Sequence, residues 1–177
     1  EIHQACYDQY VDADNMTDRL AALACLVHNR LPGYPEALAA FYHRFHDDPL
    51  VVDKWFSLQA TAPGPETLDH VRELIRHPAF TMRNPNRVRS LIGAFAHGNP
   101  ACFHDPSGAG YAFVADRVLE LDPINPQVAA RMLAPLSRWK RYRQRQQKLM
   151  VDQLERIRRY ASLSNDVSEI VEKSLLN

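Results

Sequence analysis

Asn84-Pro85-Asn86-Arg87-Val88-Arg89-Ser90-Leu91-Ile92-Gly93-Ala94-Phe95-Ala96 is the stretch whose reading decides the fold class. Asn84 suits a helix cap, because its carboxamide oxygen can accept from backbone N–H groups that the first turn leaves free. Pro85 suits the first helical position, where a missing N–H costs nothing. Val88, Leu91, Ile92 and Phe95 recur at spacings of three and four, which draws one apolar stripe along a helix. At about 100° per residue, Arg87 and Arg89 fall on opposite flanks of that stripe. Gly93 lies one turn beyond Arg89, with Ala96 on the same side. A glycine inside a helix costs about 1 kcal/mol relative to alanine, so it calls for a packing or access reason. Small neighbours would leave Arg89 reachable by an anionic group. The plainer alternative is a closely packed helix with solvated arginines.

Working outward, the same periodicity recurs along the chain. Met16-Thr17-Asp18 opens a helix through Leu20, Leu23 and Val27, capped by Asn15 or Thr17. Pro35 starts a helix carrying Leu38, Phe41 and Phe45, and Asp48-Pro49 starts one carrying Val52, Trp55, Phe56 and Gln59. The run from Ala60 to Pro65 holds two prolines and a glycine and must break the helix. Further helices are expected from Glu66 to His77, from Asn84 to His97 and from Tyr111 to Leu121, with a polar loop through Gly98-Asn99-Pro100. Asn125-Pro126 caps a last long stretch to about Tyr160, and a terminal helix runs from about Asp166 to Leu176. No segment alternates apolar and polar residues with β-branched enrichment, so strands are not expected. Short helices joined by short loops predict an all-α, irregular array of helix pairs, with a compact bundle as the alternative.

The bulk composition excludes several classes of function. The 177 residues are 46% apolar and 24% charged with zero formal charge, as in an ordinary globular protein. That balance gives the whole chain no electrostatic case for nucleic acid or membrane. No apolar run approaches the roughly 20 residues of a membrane span. Cys6, Cys25 and Cys102 are widely spaced and odd in number, which fits a reducing compartment. Cys25 reads as a small buried hydrophobe beside Leu23, Leu26 and Val27. The start at Glu1-Ile2-His3, without an initiator methionine or a signal pattern, is expected of the interior of a longer protein. There is no metalloprotease helix motif, phosphate loop, nucleophile elbow or paired-cysteine metal site. Covalent chemistry by this chain alone is therefore not expected.

Other polar patterns have candidate roles. In the Asn125 helix, Gln127 and Arg131 stand one turn apart on one face. Pro135 deprives the Arg131 carbonyl of its partner and predicts a kink, so both side chains could face a cavity at a bend. His43 and His46 could share a helix face, but two ligands do not make a metal site. Glu66 with His70, and Glu73 with His77, read as surface pairs. From Arg138 to Arg159 nine basic residues stand against Asp152 and Glu155, a net +7, with Trp139 and Tyr142 interleaved. That run could bind RNA or another protein as part of a stand-alone scaffold. The alternative is a long solvated helix docked on acidic surface of the same protein.

Several blocks together resemble one family. They are Asn15-Met16-Thr17-Asp18, Asp53-Lys54-Trp55-Phe56 with Gln59-Ala60-Thr61, Asn84 to Ala96, Asn99-Pro100, Phe103-His104, Gly108 to Tyr111, and Asn125-Pro126-Gln127-Val128-Ala129. The chain is similar from about Asn15 onward to the C-terminal domain of bacterial aminopeptidase N, a group of gluzincin zinc metallopeptidases. The segment from Arg138 to Tyr160 matches mainly in character. The resemblance implies a superhelical, ARM/HEAT-like array spanning residues 1–177 that caps a catalytic domain and encloses a substrate cavity. It implies a cytoplasmic parent enzyme of alanyl aminopeptidase type. There, zinc held by two histidines and a glutamate activates water against the N-terminal peptide bond. The His-Glu-x-x-His helix is absent here, so no cofactor and no catalytic residue are expected in this chain. Its implied partners are the catalytic domain of the same polypeptide and peptide substrates, with no membrane and no nucleic acid. The matching blocks imply Arg89, Gln127 and Arg131 as substrate-binding residues. A guanidinium can clamp a carboxylate through two charge-assisted hydrogen bonds, which suits that role.

Overall fold

The computed structural model of the chain describes residues 2–176, all in helices, turns and loops, with no strand among the described residues. Five helices form the first part: α1 (Ile2–Asp12), α2 (Met16–His28), α3 (Tyr34–Phe45), α4 (Pro49–Ala60) and α5 (Thr67–Leu74). The deciding stretch follows as α6 (Pro85–Val88), a π turn (Arg89–Gly93) and α7 (Ala94–Gly98), one continuous helical run. Then come α8 (Pro100–Phe103), α9 (Ala109–Leu121), α10 (Pro126–Met132), α11 (Ala134–Ser137), a 3₁₀ turn (Trp139–Arg141), α12 (Gln144–Arg158) and α13 (Asn165–Leu176).

The helix starts follow from local chemistry. Asp48, Asn84, Asn99 and Asn125 each precede a proline, and each side-chain oxygen accepts from backbone N–H groups of the first turn. Asn15 caps α2 the same way, accepting from Asp18 N at 2.9 Å. Asn99 does more than cap. Its Nδ2 donates to the carbonyls of Ala60 (3.1 Å) and Ala62 (2.9 Å), which satisfies the end of α4. The expected polar loop at Gly98-Asn99-Pro100 is therefore the start of a short helix.

In the first part, α1 packs on α2, α2 on α3, α3 on α4 and α4 on α5. Helix α4 also packs on the π turn, and α9, α10, α12 and α13 close the other end. This is the irregular helix-pair array expected from the sequence. The core is continuous through it, from Leu23, Leu26 and Phe41 to Phe56, Leu91 and Phe95, and on to Tyr111, Leu133 and Leu154.

The structure adds one helix and corrects one further expectation. Helix α1 has no counterpart in the sequence pattern, since Tyr10 is its one buried residue and its apolar periodicity is thin. The single long helix from Asn125 to Tyr160 does not form. The kink expected at Pro135 is a break after Met132, and a second, unexpected break spans Arg138 to Arg143 without any proline. Tertiary contacts hold that second break. Trp139 Nε1 donates to Ser174 O at 2.9 Å, and Tyr142 lies 4.1 Å from the His104 ring. Gln147 Nε2 satisfies the freed carbonyls of Tyr142 (2.9 Å) and Lys140 (3.2 Å).

Candidate functional site

Arg87 and Arg89 separate as expected, to opposite fates. Arg87 is buried and ion-paired with Asp53 of α4. Its guanidinium also donates to Ala79 O (3.0 Å) and Pro49 O (2.8 Å), and it lies 5.6 Å from the Phe56 ring centre. Ser90 Oγ donates to the same Asp53 carboxylate at 3.3 Å. The anionic group that Arg87 receives is thus one of the chain's own, and this arginine fixes the α6 run to α4.

Arg89 is exposed at the first position of the π turn and donates to Asn86 Oδ1 at 2.5 Å. In that turn the Ala94 N–H reaches back five residues to the Arg89 carbonyl. Such wide turns stay in helices mostly as single bulges, and they concentrate at functional sites. Gly93 closes the bulge, buried against α10: a Cβ there would meet Met132 Cε at 3.5 Å and Arg89 Cβ at 3.8 Å. Those are ordinary contacts. The glycine is not demanded by sterics, but it sets the π turn directly against the helix that carries Arg131.

Gln127 and Arg131 are both exposed on α10, next to the buried Val128 and Met132. Among the described residues, neither side chain makes a hydrogen bond or ion pair. The structure therefore brings the Arg89 turn and the Arg131 helix together through Gly93 and Met132, with both guanidinium groups open to solvent. Sequence reasoning missed the π turn, whose one local signal is a glycine inside a helix. It also missed Asp53 as the partner of Arg87.

The remaining polar candidates fall elsewhere. Glu66 pairs with Arg30, not His70, and His70 Nδ1 lies 3.6 Å from Glu73. His77 is not a surface partner of Glu73 at all. It packs edge-on against Tyr42 and Phe56 and accepts the Ala79 N–H at 3.2 Å, and burial pushes its ionisation down. His70 instead bonds Gln59 Oε1 at 2.9 Å, in a cavity of about 550 Å³ that also touches Val27, Trp55 and Thr67. None of Arg89, Gln127 and Arg131 lines it. Among the described residues no group of three His, Cys, Asp or Glu side chains could hold a metal ion, and no helix is long and apolar enough to cross a membrane.

The basic run is not a free helix. Met150, Leu154 and Ile157 of α12 are fully buried, Arg156 pairs with Asp116 at 2.7 Å, and Arg158 pairs with Glu155 at 2.6 Å. Part of the expected solvated face is therefore committed to the fold.

Comparison with known proteins decides the family. A family model described as "Domain of unknown function (DUF3458_C) ARM repeats" matches residues 1–176. The chain is 47% identical over 165 residues to aminopeptidase N of Caulobacter vibrioides, covering 92% of this chain and 19% of that protein. It is 46% identical over 167 residues to aminopeptidase N of Escherichia coli, covering 94% of this chain and 19% of that protein. The chain belongs to the family of aminopeptidase N C-terminal domains. Among solved structures it matches Legionella pneumophila aminopeptidase A in complex with aspartic acid, with a TM-score of 0.93 and 36% identity. That match covers 98% of this chain and 20% of the Legionella chain. This aminopeptidase N domain thus spans about a fifth of the length of the relatives it matches.

Proposed function

We propose that this chain is the helical cap of a cytoplasmic zinc aminopeptidase, and that it restricts access to the cavity and orients peptides through Arg89, Gln127 and Arg131. The observation that carries the reading is the contrast among the arginines. Arg87 is consumed by Asp53, whereas Arg89 and Arg131 are exposed, with no carboxylate of the described chain paired to them. An exposed guanidinium on a rigid helix can take a peptide carboxylate or backbone carbonyl at little conformational cost. The names of the relatives support this substrate class, since an aminopeptidase acts at the N-terminal end of a peptide. The described residues do not fit a zinc ion, so the reading assigns the metal to the part of the longer protein outside this chain.

The test is kinetic. In the full-length enzyme, Arg89→Ala and Arg131→Ala are each expected to raise KM for a tetrapeptide by about tenfold, with hydrolysis of a single-residue amide within about twofold of the parent. An equal loss on both substrates would overturn the positioning role.

A further inference from the structure

Cys6 on α1 and Cys25 on α2 bring their sulfurs to 2.8 Å, although 19 positions separate them in sequence. A disulfide needs about 2.05 Å, so a small approach separates this contact from a covalent bond. Both cysteines are half-buried, within reach of a small oxidant. Cys102 differs. Its thiol donates to Gly64 O at 3.1 Å and has no second thiol beside it among the described residues.

We propose that Cys6 and Cys25 are a reversible disulfide site that staples α1 to α2 when the protein meets a peroxide. The roles of the two sulfurs differ. The hydrogen bond to Cys25, then burial, push the Cys6 thiol's ionisation up. Cys25 makes the first attack, because its Sγ accepts from the Asn29 amide at 3.9 Å, a donor that the Cys6 sulfur lacks among the described residues. The Cys25 thiolate attacks one oxygen of hydrogen peroxide, the O–O bond breaks, and hydroxide leaves. The Cys6 sulfur then attacks the sulfenic sulfur of Cys25, gives up its proton, and expels the hydroxyl as water. The balance is two thiols and one peroxide to one disulfide and two waters, with two electrons passing from sulfur to oxygen. A dithiol reverses the bond by exchange.

The staple would change what holds α1. In the reduced chain that helix is tied by Tyr10 OH donating to Ala37 O (2.9 Å), by Arg19 donating to Tyr10 O (2.8 Å) and by a His3–Pro32 contact (2.8 Å). The disulfide adds one covalent tie to α2 without disturbing these.

The experiment treats the reduced full-length protein with hydrogen peroxide, blocks free thiols and maps tryptic peptides. Cleavage after Arg19 places Cys6 and Cys25 on different peptides, so their linkage is unambiguous. The expected result is a Cys6–Cys25 crosslink that forms at least about tenfold faster in the native protein than in guanidinium chloride. It should persist in Cys102→Ser and vanish in Cys6→Ser, where Cys25 proceeds to the sulfinic acid. A crosslink formed equally fast in denaturant would overturn the site, as would one that involves Cys102. Oxidation of both thiols without any linkage would overturn it too. The denaturant comparison uses the unsubstituted protein, so the outcome does not depend on whether a cysteine variant folds.

Discussion

Arg87 and Arg89 stand two residues apart on one helix, and only the first is spoken for by its own fold. Burial explains why: Asp53 lies 34 positions earlier and reaches the helix where α4 packs on it. Gly93 and Gly110 make a similar pair of contrasts. At Gly93 an added Cβ meets only ordinary contacts, the nearest being Met132 Cε at 3.5 Å. At Gly110 it would sit 2.6 Å from Phe103 O and 2.9 Å from Phe103 Cα, both backbone atoms that cannot swing away. Gly93→Ala is therefore expected to be neutral or to stabilise by up to about 1 kcal/mol. Gly110→Ala should cost about 2 kcal/mol or more, because α8 and α9 must separate. Urea denaturation of both variants checks this, and a costly Gly93→Ala would mean that the π turn needs the glycine. The resemblance points to Arg89 and Arg131, and the structure shows both exposed. Sequence reasoning could not see Asp53 beside Arg87, because nothing local marks a partner that far away.

Elements with local start signals were legible, and those held by distant partners were not. Asp48-Pro49, Asn84-Pro85 and Asn125-Pro126 each announced a helix that forms. The break from Arg138 to Arg143 had no such signal, since it depends on Ser174 and His104. The same distant packing governs the histidines. His77, His97 and His104 are all pushed down from the ordinary histidine value, by burial at the half-buried His77 and His104, and at the more exposed His97 by partial desolvation with the charge of Arg138. The unfolded chain then binds more protons than the folded one once pH falls below about 6.5. Stability is full above that value and is lost as pH falls through it toward the folded ionisations. A thermal midpoint lower by a few degrees at pH 5.5 than at pH 7.5 is expected. His77→Asn keeps an acceptor for the Ala79 N–H while removing one titrating group, so it should flatten that slope. An unchanged slope would remove His77 from the account.

At the scale of the molecule, α1, α2 and α3 share no principal packing contact with α10, α11, α12 or α13, so stability is expected to be a local property, as in repeat proteins generally. Asp122 tests this. It is buried at the end of α9, and its carboxylate accepts from Ser164 N (2.8 Å) and Ser164 Oγ (2.5 Å). Ser164 Oγ in turn accepts from Val167 N at 3.2 Å, so this one carboxylate organises the start of α13. Asp122→Ala leaves those donors without their acceptor, at a cost of about 1–3 kcal/mol. In a globular bundle that loss would be shared by every helix. In this array α1 packs on α2, and α2 and α3 pack on each other and on α4, while α13 packs on α10, α11 and α12. Amide hydrogen exchange in Asp122→Ala should therefore accelerate by about tenfold or more in α10, α12 and α13, and stay near the parent rates in α2 and α3. Uniform acceleration across both ends would show a single cooperative unit instead. Under the proposed cap role the distinction bears on function, because a far end that loosens alone would adjust around Gln127 and Arg131 without disturbing the Arg87–Asp53 anchor.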